Sequence, residues 1–218
     1  MKINSIQKKN EDTVLLQFDN GEFLYLTYDT FLSNGLRINK EISEEEHKQL
    51  IDENRLFYIR KKAFSLLARR KHAEKELRMK LYNKEYSKEL IDIVISDLKE
   101  RDYINDFEFA QLYVEENIRR KMWGKNKVNS ELMKKGVSGD IIKKIDEIYF
   151  ADEDHSDAIH RLCEKKYNLL KHKKLEPRQL KDKIISFLLS KGYDYSNSIN
   201  SVNSFLKNMN QELEEDVE

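Results

Sequence analysis

Polar and apolar positions alternate over the first thirty residues, and from there on the apolar positions recur at helical spacing. Residues 2–8, 13–19 and 22–28 read as three short strands. Asp19, Asn20 and Gly21 supply the positive-φ positions of a tight hairpin between the second and third. This antiparallel meander is too small to stand alone and must pack on the helical segment after it. Asp29 or Thr30 is placed to cap a short helical stretch that Asn34 and Gly35 end. Ser43, followed by Glu44, Glu45 and Glu46, forms a capping box for a long helix, or two abutting helices, over 44–69. Leu50, Leu56, Ile59, Ala63, Phe64 and Leu67 are its apolar positions, with an interruption around Asp52–Asn54.

The remainder reads as a repeat. Stretches beginning at His72, Gly124 and Leu175 each hold a short amphipathic helix, then a turn with an aromatic or β-branched residue (Tyr86, Val137, Tyr193). A small or acidic residue comes next (Ser87, Ser138, Asp194), and then a second amphipathic helix. The anchors lie 51 and 56 residues apart, a spacing suited to helical repeats. A further helix precedes each pair, so the unit has three helices and occurs three times. Inward positions are Leu77, Leu81, Tyr86, Ile91, Ile95 and Leu98 in the first repeat. Val128, Leu132, Val137, Ile142, Ile145 and Ile148 serve the second, and Leu180, Ile184, Leu188, Tyr193, Ile199, Val202 and Phe205 the third. Gly136 and Gly192 sit where helix C-caps fall, and Pro177 at a helix start.

The expected fold is mainly α: tandem three-helix repeats stacked into an elongated curved array, with a small N-terminal antiparallel β-hairpin or three-stranded meander. The expected divisions are 1–42 for the β-rich extension, 43–106 for a helix plus the first repeat, and 107–151 for the second repeat. The third repeat is placed at 152–210 and a fraying acidic tail at 211–218. Six Gly and one Pro in 218 residues favour long helices over a sheet-rich fold with many tight turns.

Charge changes the picture. Lys plus Arg and Asp plus Glu both number 40, but they are segregated. One basic stretch contains Arg69, Arg70, Lys71, Lys75 and Arg78. A second contains Arg119, Arg120, Lys121, Lys125 and Lys127 around the sole tryptophan, Trp123. A third contains Lys165, Lys166, Lys173 and Lys174. All three fall at the end of the first helix and the start of the second in their repeats. Basic stripes at equivalent positions suit a phosphate backbone, with salt-dependent and largely sequence-independent affinity. Solvated helix faces with i,i+4 pairing would give similar runs. Trp123 could stack on a base or cover the junction between repeats. Acidic residues gather at 41–53, at Asp140, at 146–157 and in the tail; Asp152, Glu153, Asp154 and Asp157 could begin a helix or meet a basic partner.

Candidate chemistry is sparse. Gly124 opens no phosphate loop, because the flanking Gly and Lys-Ser/Thr pattern is lacking. The five histidines are dispersed, and His155 and His160, five apart, share no helix face. Cys163, the single cysteine, excludes an internal disulfide and reads as a buried or half-buried helix position. No cofactor, metal or catalytic residue is expected. Nor is there a signal peptide or an apolar run long enough to span a bilayer, which leaves a cytoplasmic protein as the expectation. The residues alone leave open a DNA-binding module, a protein-interaction scaffold or a carboxylate-dependent nuclease.

One resemblance narrows this. Residues 68–118 carry Glu76, Leu77 and Leu81, then Tyr86, then Leu98, Tyr103, Ile104, Asn105 and Asp106, with Phe109 and Ala110. The next unit gives Gly124, Val128, Glu131, Leu132, Lys135, Gly136 and Val137. This pattern resembles the RecX family, regulators of the RecA recombinase, and residues 18–43 look like its N-terminal hairpin extension. His72 and Ala73, at a turn, and Lys125, where proline is common, depart from the family pattern. The resemblance implies a non-enzymatic negative modulator that binds the RecA–single-stranded DNA filament in its deep groove; a monomer is the expectation for the free chain. It further implies inhibition of filament growth, strand exchange, ATP hydrolysis and co-protease activity, with single- or double-stranded DNA as a direct partner and no membrane association. A stand-alone DNA-binding protein competing for the strand is the alternative.

Overall fold

The computed structural model describes residues 1–151 and 155–215, the side chains of 210 and 212–215 excepted. The chain divides into two compact units, Met1–Ile104 and Asn105–Glu218.

In the first unit, β1 (Ile3–Lys8), β2 (Thr13–Phe18) and β3 (Phe23–Thr27) form an antiparallel sheet in that order. The register sets Leu16 opposite Ile6 and Leu24, so one face of the sheet is apolar. That face closes over a core containing Ile3, Leu16, Phe18, Leu26, Leu36, Ile42 and Leu50. The helix α1 (Tyr28–Ser33) continues from β3 without a gap, and its cap is Thr27, not Asp29 or Thr30. The chain turns helical immediately after the last strand residue, and the Thr27 hydroxyl accepts from the Thr30 amide. The long segment is one helix, α2 (Glu44–Leu67), opened by the Ser43–Glu46 capping box. Its polar interruption has a structural task. Asn54 accepts from the Thr27 amide at 2.8 Å and donates to the Tyr25 carbonyl at 3.0 Å, closing the free edge of β3 as a surrogate peptide.

The carboxyl half of α2 packs with α3 (Glu74–Tyr82) and α4 (Lys88–Glu100) around Ile59, Ala63, Leu77, Leu81, Ile91, Val94, Ile95 and Leu98. Phe64, expected inside, is 40% exposed and stands edge-on to Tyr103.

The second unit contains α5 (Asp106–Lys121), α6 (Lys125–Lys135) and α7 (Gly139–Tyr149), then α8 (Ser156–Leu170), α9 (Pro177–Lys191) and α10 (Tyr195–Glu215). The anchors recur in three dimensions. Ser87 caps α4 by accepting from Leu90, Ser138 caps α7 by accepting from Ile141, and Asp194 accepts from Asn197 at the start of α10. Val128, Leu132, Val137, Ile142 and Ile145 are buried as expected, but Ile148, the last residue but one of α7, is 54% exposed. The core around α8, α9 and α10 contains Ile159, Leu162, Cys163, Ile184, Leu188, Tyr193, Val202 and Phe205. Tyr86, Leu180 and Ile199 are half-buried. Asp152, Glu153 and Asp154, and the side chains of the acidic tail beyond Gln211, lie outside the described residues; Asp157 is in the first turn of α8.

Candidate functional site

The basic positions of the second and third repeats meet because two helix ends are joined through their backbones. The orphan amides at the start of α6 face the orphan carbonyls at the end of α9. Gly124 donates to the Lys191 carbonyl at 2.8 Å and Asn126 to the Gly192 carbonyl at 3.1 Å. The positive end of one helix dipole thus meets the negative end of another. Only glycine permits the approach. A Cβ on Gly124 would stand 2.8 Å from the Gly192 carbonyl, and Gly192 has φ +95°.

Just before this joint, α5 ends on Met122 in the left-handed region, φ 51°. That conformation is costly for a non-glycine residue. The buried Tyr193 hydroxyl donates to the Met122 carbonyl at 3.1 Å and holds the turn. Burial pushes the Tyr193 phenol up to about 12, so it keeps the proton it donates. The turn sets Trp123 half-buried against Tyr113, with ring centroids 6.4 Å apart.

Lysines collect around this ring. Lys121 Nζ lies 4.4 Å and Lys127 Nζ 5.5 Å from the Trp123 centroid. Lys191 reaches back to donate to the Lys121 carbonyl at 3.4 Å. Its ammonium is held below the ordinary lysine value by burial first, and then by the charges of Lys165, Lys121 and Lys127. Such a group of like charges favours an anion among them. A second ring extends it: Phe187 has Lys166 at 5.2 Å and Lys191 at 5.5 Å from its centroid. Phe187, Lys166, Lys173 and Lys183 also line a shallow depression between α8 and α9. Tyr113, the ring beside Trp123, has Lys135 Nζ 5.2 Å from its centroid.

The sequence-derived positions divide accordingly. Lys121, Trp123, Lys127 and Lys165 come together, with Lys166 one ring away. Lys125 is turned toward Asp146 at 3.2 Å, and Lys127 also pairs with Glu131 at 3.1 Å. Arg120 pairs with Glu116 at 2.8 Å; Arg119, Lys173 and Lys174 are exposed. The first-repeat positions lie in the other unit, where several enter ion pairs. Arg70 grips both oxygens of Glu76, at 2.5 and 3.1 Å. Arg78 bridges Glu74, at 2.8 Å, and Asp92. Lys71 is half-buried, while Arg69 and Lys75 are exposed. Lys191 and Phe187 were not singled out from sequence. The available signal was Lys191 beside the capping Gly192, but Lys121, whose carbonyl it bonds, lies 70 residues away in the chain.

Among the described residues, no group of His, Cys, Asp and Glu could hold a metal ion, and no helix is long and apolar enough to cross a membrane. Burial pushes the Cys163 thiol up to about 11, which keeps it protonated and unreactive at neutral pH.

Comparison with known proteins agrees with the repeat reading. Family models for the first, second and third three-helix domains of RecX match residues 60–98, 105–144 and 152–197. The regulatory protein RecX of Clostridium perfringens (strain 13 / Type A) is 34% identical over 197 residues, covering 89% of this chain and 91% of that protein. The regulatory protein RecX of Streptococcus pneumoniae serotype 19F is 34% identical over 200 residues, covering 91% and 74% respectively. A crystal structure of regulatory protein RecX shares the fold, with a TM-score of 0.69 at 18% identity over 95% of this chain and 98% of the other. The crystal structure of RecX from Lactobacillus salivarius does so with a TM-score of 0.58 at 23% identity, over 73% and 99%.

Proposed function

The chain belongs to the RecX family of regulatory proteins, and from that premise we propose that it is a negative modulator of the RecA recombinase. In this reading it acts as a regulator and not as an enzyme. In this reading it binds the RecA–single-stranded DNA filament and limits filament growth, strand exchange, ATP hydrolysis and co-protease activity.

The observation that carries the reading is the lysine cluster at the joint of the second and third repeats. Lys121 and Lys127, the latter paired with Glu131, share the Trp123 ring, Lys191 bonds the Lys121 carbonyl, and Lys165 adds its charge, so like charges gather there and a polyanionic partner relieves their repulsion. A nucleoprotein filament presents such a partner in its DNA phosphates and in acidic protein surface. Arg69 and Lys75 of the first repeat, exposed beside the ion-paired Arg70 and Arg78, supply a further contact. The backbone joint between α6 and α9 preorganises the cluster, so little ordering remains to be done on binding.

The test is DNA-dependent ATP hydrolysis by the cognate RecA, measured with the wild-type chain and with Lys121→Glu/Lys191→Glu. Wild-type inhibition that the double variant loses, with helicity retained, is the expected result. Equal inhibition by both removes the cluster from the mechanism, and absence of inhibition by the wild type removes RecA. A stand-alone DNA-binding protein competing for the strand is the second reading, favoured by the aromatic rings within the cluster.

A further inference from the structure

Lys191, the last residue of α9, is a half-buried amine among other amines. Its Nζ donates to the Lys121 carbonyl at a long 3.4 Å and lies 5.5 Å from the centroid of Phe187, whose ring Lys166 approaches at 5.2 Å. The side-chain charges that act on it are all positive, from Lys165 on α8, Lys121 on α5 and Lys127 on α6, and no carboxylate among the described residues opposes them. A lysine at a helix end is ordinarily steadied as an ammonium by the last, unpaired carbonyls. Here Gly124 and Asn126 donate to the Lys191 and Gly192 carbonyls, so the positive end of α6 stands where a lysine would find its acceptors.

We propose that Lys191 is a covalent modification site: its Nζ accepts an acyl group from an acyl phosphate, whose phosphate Lys121, Lys127 and Lys165 draw in and hold beside the amine.

The step needs the donor alone. Lys191 loses its ammonium proton to water, and the freed electron pair attacks the donor's carbonyl carbon. The C–N bond forms, the C–O bond to phosphate breaks, and inorganic phosphate leaves with the electrons of that bond. The nitrogen then gives a second proton to water, which leaves a neutral amide. Two features favour this lysine over others. At neutral pH an ordinary lysine is a free amine in about one molecule of a few thousand. Burial and like charge, which hold Lys191 below the ordinary lysine value, raise that share. The same neighbouring ammonium groups attract the dianionic donor and stabilise the phosphate as it gains charge on leaving. Lys143 and Lys144, exposed on α7, serve as the internal comparison. The product lacks the charge of Lys191, so on the proposed reading of the cluster acylation weakens the grip on a polyanionic partner.

The test incubates the full-length chain with acetyl phosphate at neutral pH and follows each lysine by peptide mass spectrometry. Lys191 is expected to be acetylated about tenfold faster than Lys143 and Lys144. Unfolding in urea should abolish the preference. Lys121→Gln/Lys165→Gln changes two exposed side chains and leaves the Lys191 amine in place; with helicity retained, it should shrink the preference. N-hydroxysuccinimide acetate, an acetyl donor without a phosphate, should show a smaller preference than acetyl phosphate. Acetylation of Lys191 no faster than of Lys143 and Lys144 overturns the site. So does a preference that survives urea, or one that the double variant and the phosphate-free donor leave unchanged. The mapping contains no RecA, so its failure sinks this inference alone; selective acetylation that leaves inhibition of RecA ATP hydrolysis intact removes the cluster from that inhibition and spares the modification site.

Discussion

Gly192 faces Lys127 so closely that a Cβ on Gly192 would stand 2.3 Å from the Lys127 backbone nitrogen. The left-handed φ of Gly192 adds a second objection to any side chain there. One residue thus joins the third repeat to the second and keeps Lys191 beside Lys121.

Gly192→Ala is therefore expected to act on both stability and binding. The backbone strain alone costs about 1–3 kcal/mol, and the collision adds to it. Urea denaturation should show the loss. At temperatures where the variant stays folded, affinity for polyanions should also fall, because the lysines on α9 move away from those on α5 and α6.

Asn54 makes a prediction about the other unit. Its amide serves one donor and one acceptor on the edge of β3. Asn54→Ala strands the buried Thr27 amide and should cost about 1–3 kcal/mol in chemical denaturation. Asn54→Asp keeps the acceptor for Thr27 and loses the donor to Tyr25, so it should lose less than the alanine variant.

His72 makes stability depend on pH. It is buried, with Nδ1 bonded to the Arg70 carbonyl at 2.8 Å and Nε2 facing Lys80 Nζ at 2.9 Å. That pattern fits the neutral ring, donating from Nδ1 and accepting at Nε2 from the Lys80 ammonium. Burial first, and then the charges of Arg70 and Lys80, hold the imidazole below its ordinary value of 6.5, although the bond to Arg70 opposes this. The unfolded chain therefore takes up a proton that the folded chain resists. Stability is fully present above pH of about 6.5 and is lost as pH falls through the folded value. Melting temperatures should fall more steeply on acidification for the wild type than for His72→Gln.

Arg78 and Lys191 should separate structure from binding. Arg78 sits between Glu74 and Asp92, so Arg78→Gln should change stability by about 0–1 kcal/mol and leave polyanion affinity nearly unchanged. Lys191→Gln should do the reverse. If Lys191 contacts one phosphate of a single strand, its loss lowers the slope of log affinity against log salt by about 0.7. A salt series on both variants checks the pair.

Local patterning was legible because it depends on neighbours in sequence. Ser87, Ser138 and Asp194 announced three equivalent helix starts, and Ser43 with Glu46 the long helix. Thr27 was missed as a cap because Asp29 and Thr30 are equally good capping types; what decides is that β3 runs directly into α1. Ile148 has the right spacing for the core but stands near the end of α7, where it remains exposed. The candidate site was half legible. Lys121, Trp123 and Lys127 are sequence neighbours, whereas Lys191 and Phe187 join them only through the packing of α9 on α6. In the first repeat, composition alone could not show that Arg70 and Arg78 are occupied by Glu76, Glu74 and Asp92.

On the proposed reading the partner is a RecA filament and not merely DNA. Binding of the labelled full-length chain to single-stranded DNA, with and without cognate RecA and a non-hydrolysable ATP analogue across a salt series, tests it most directly. Tight binding is expected when the filament is present, with markedly weaker, steeply salt-dependent binding to the bare strand. Equal affinity for bare strand and filament at every salt concentration would contradict it.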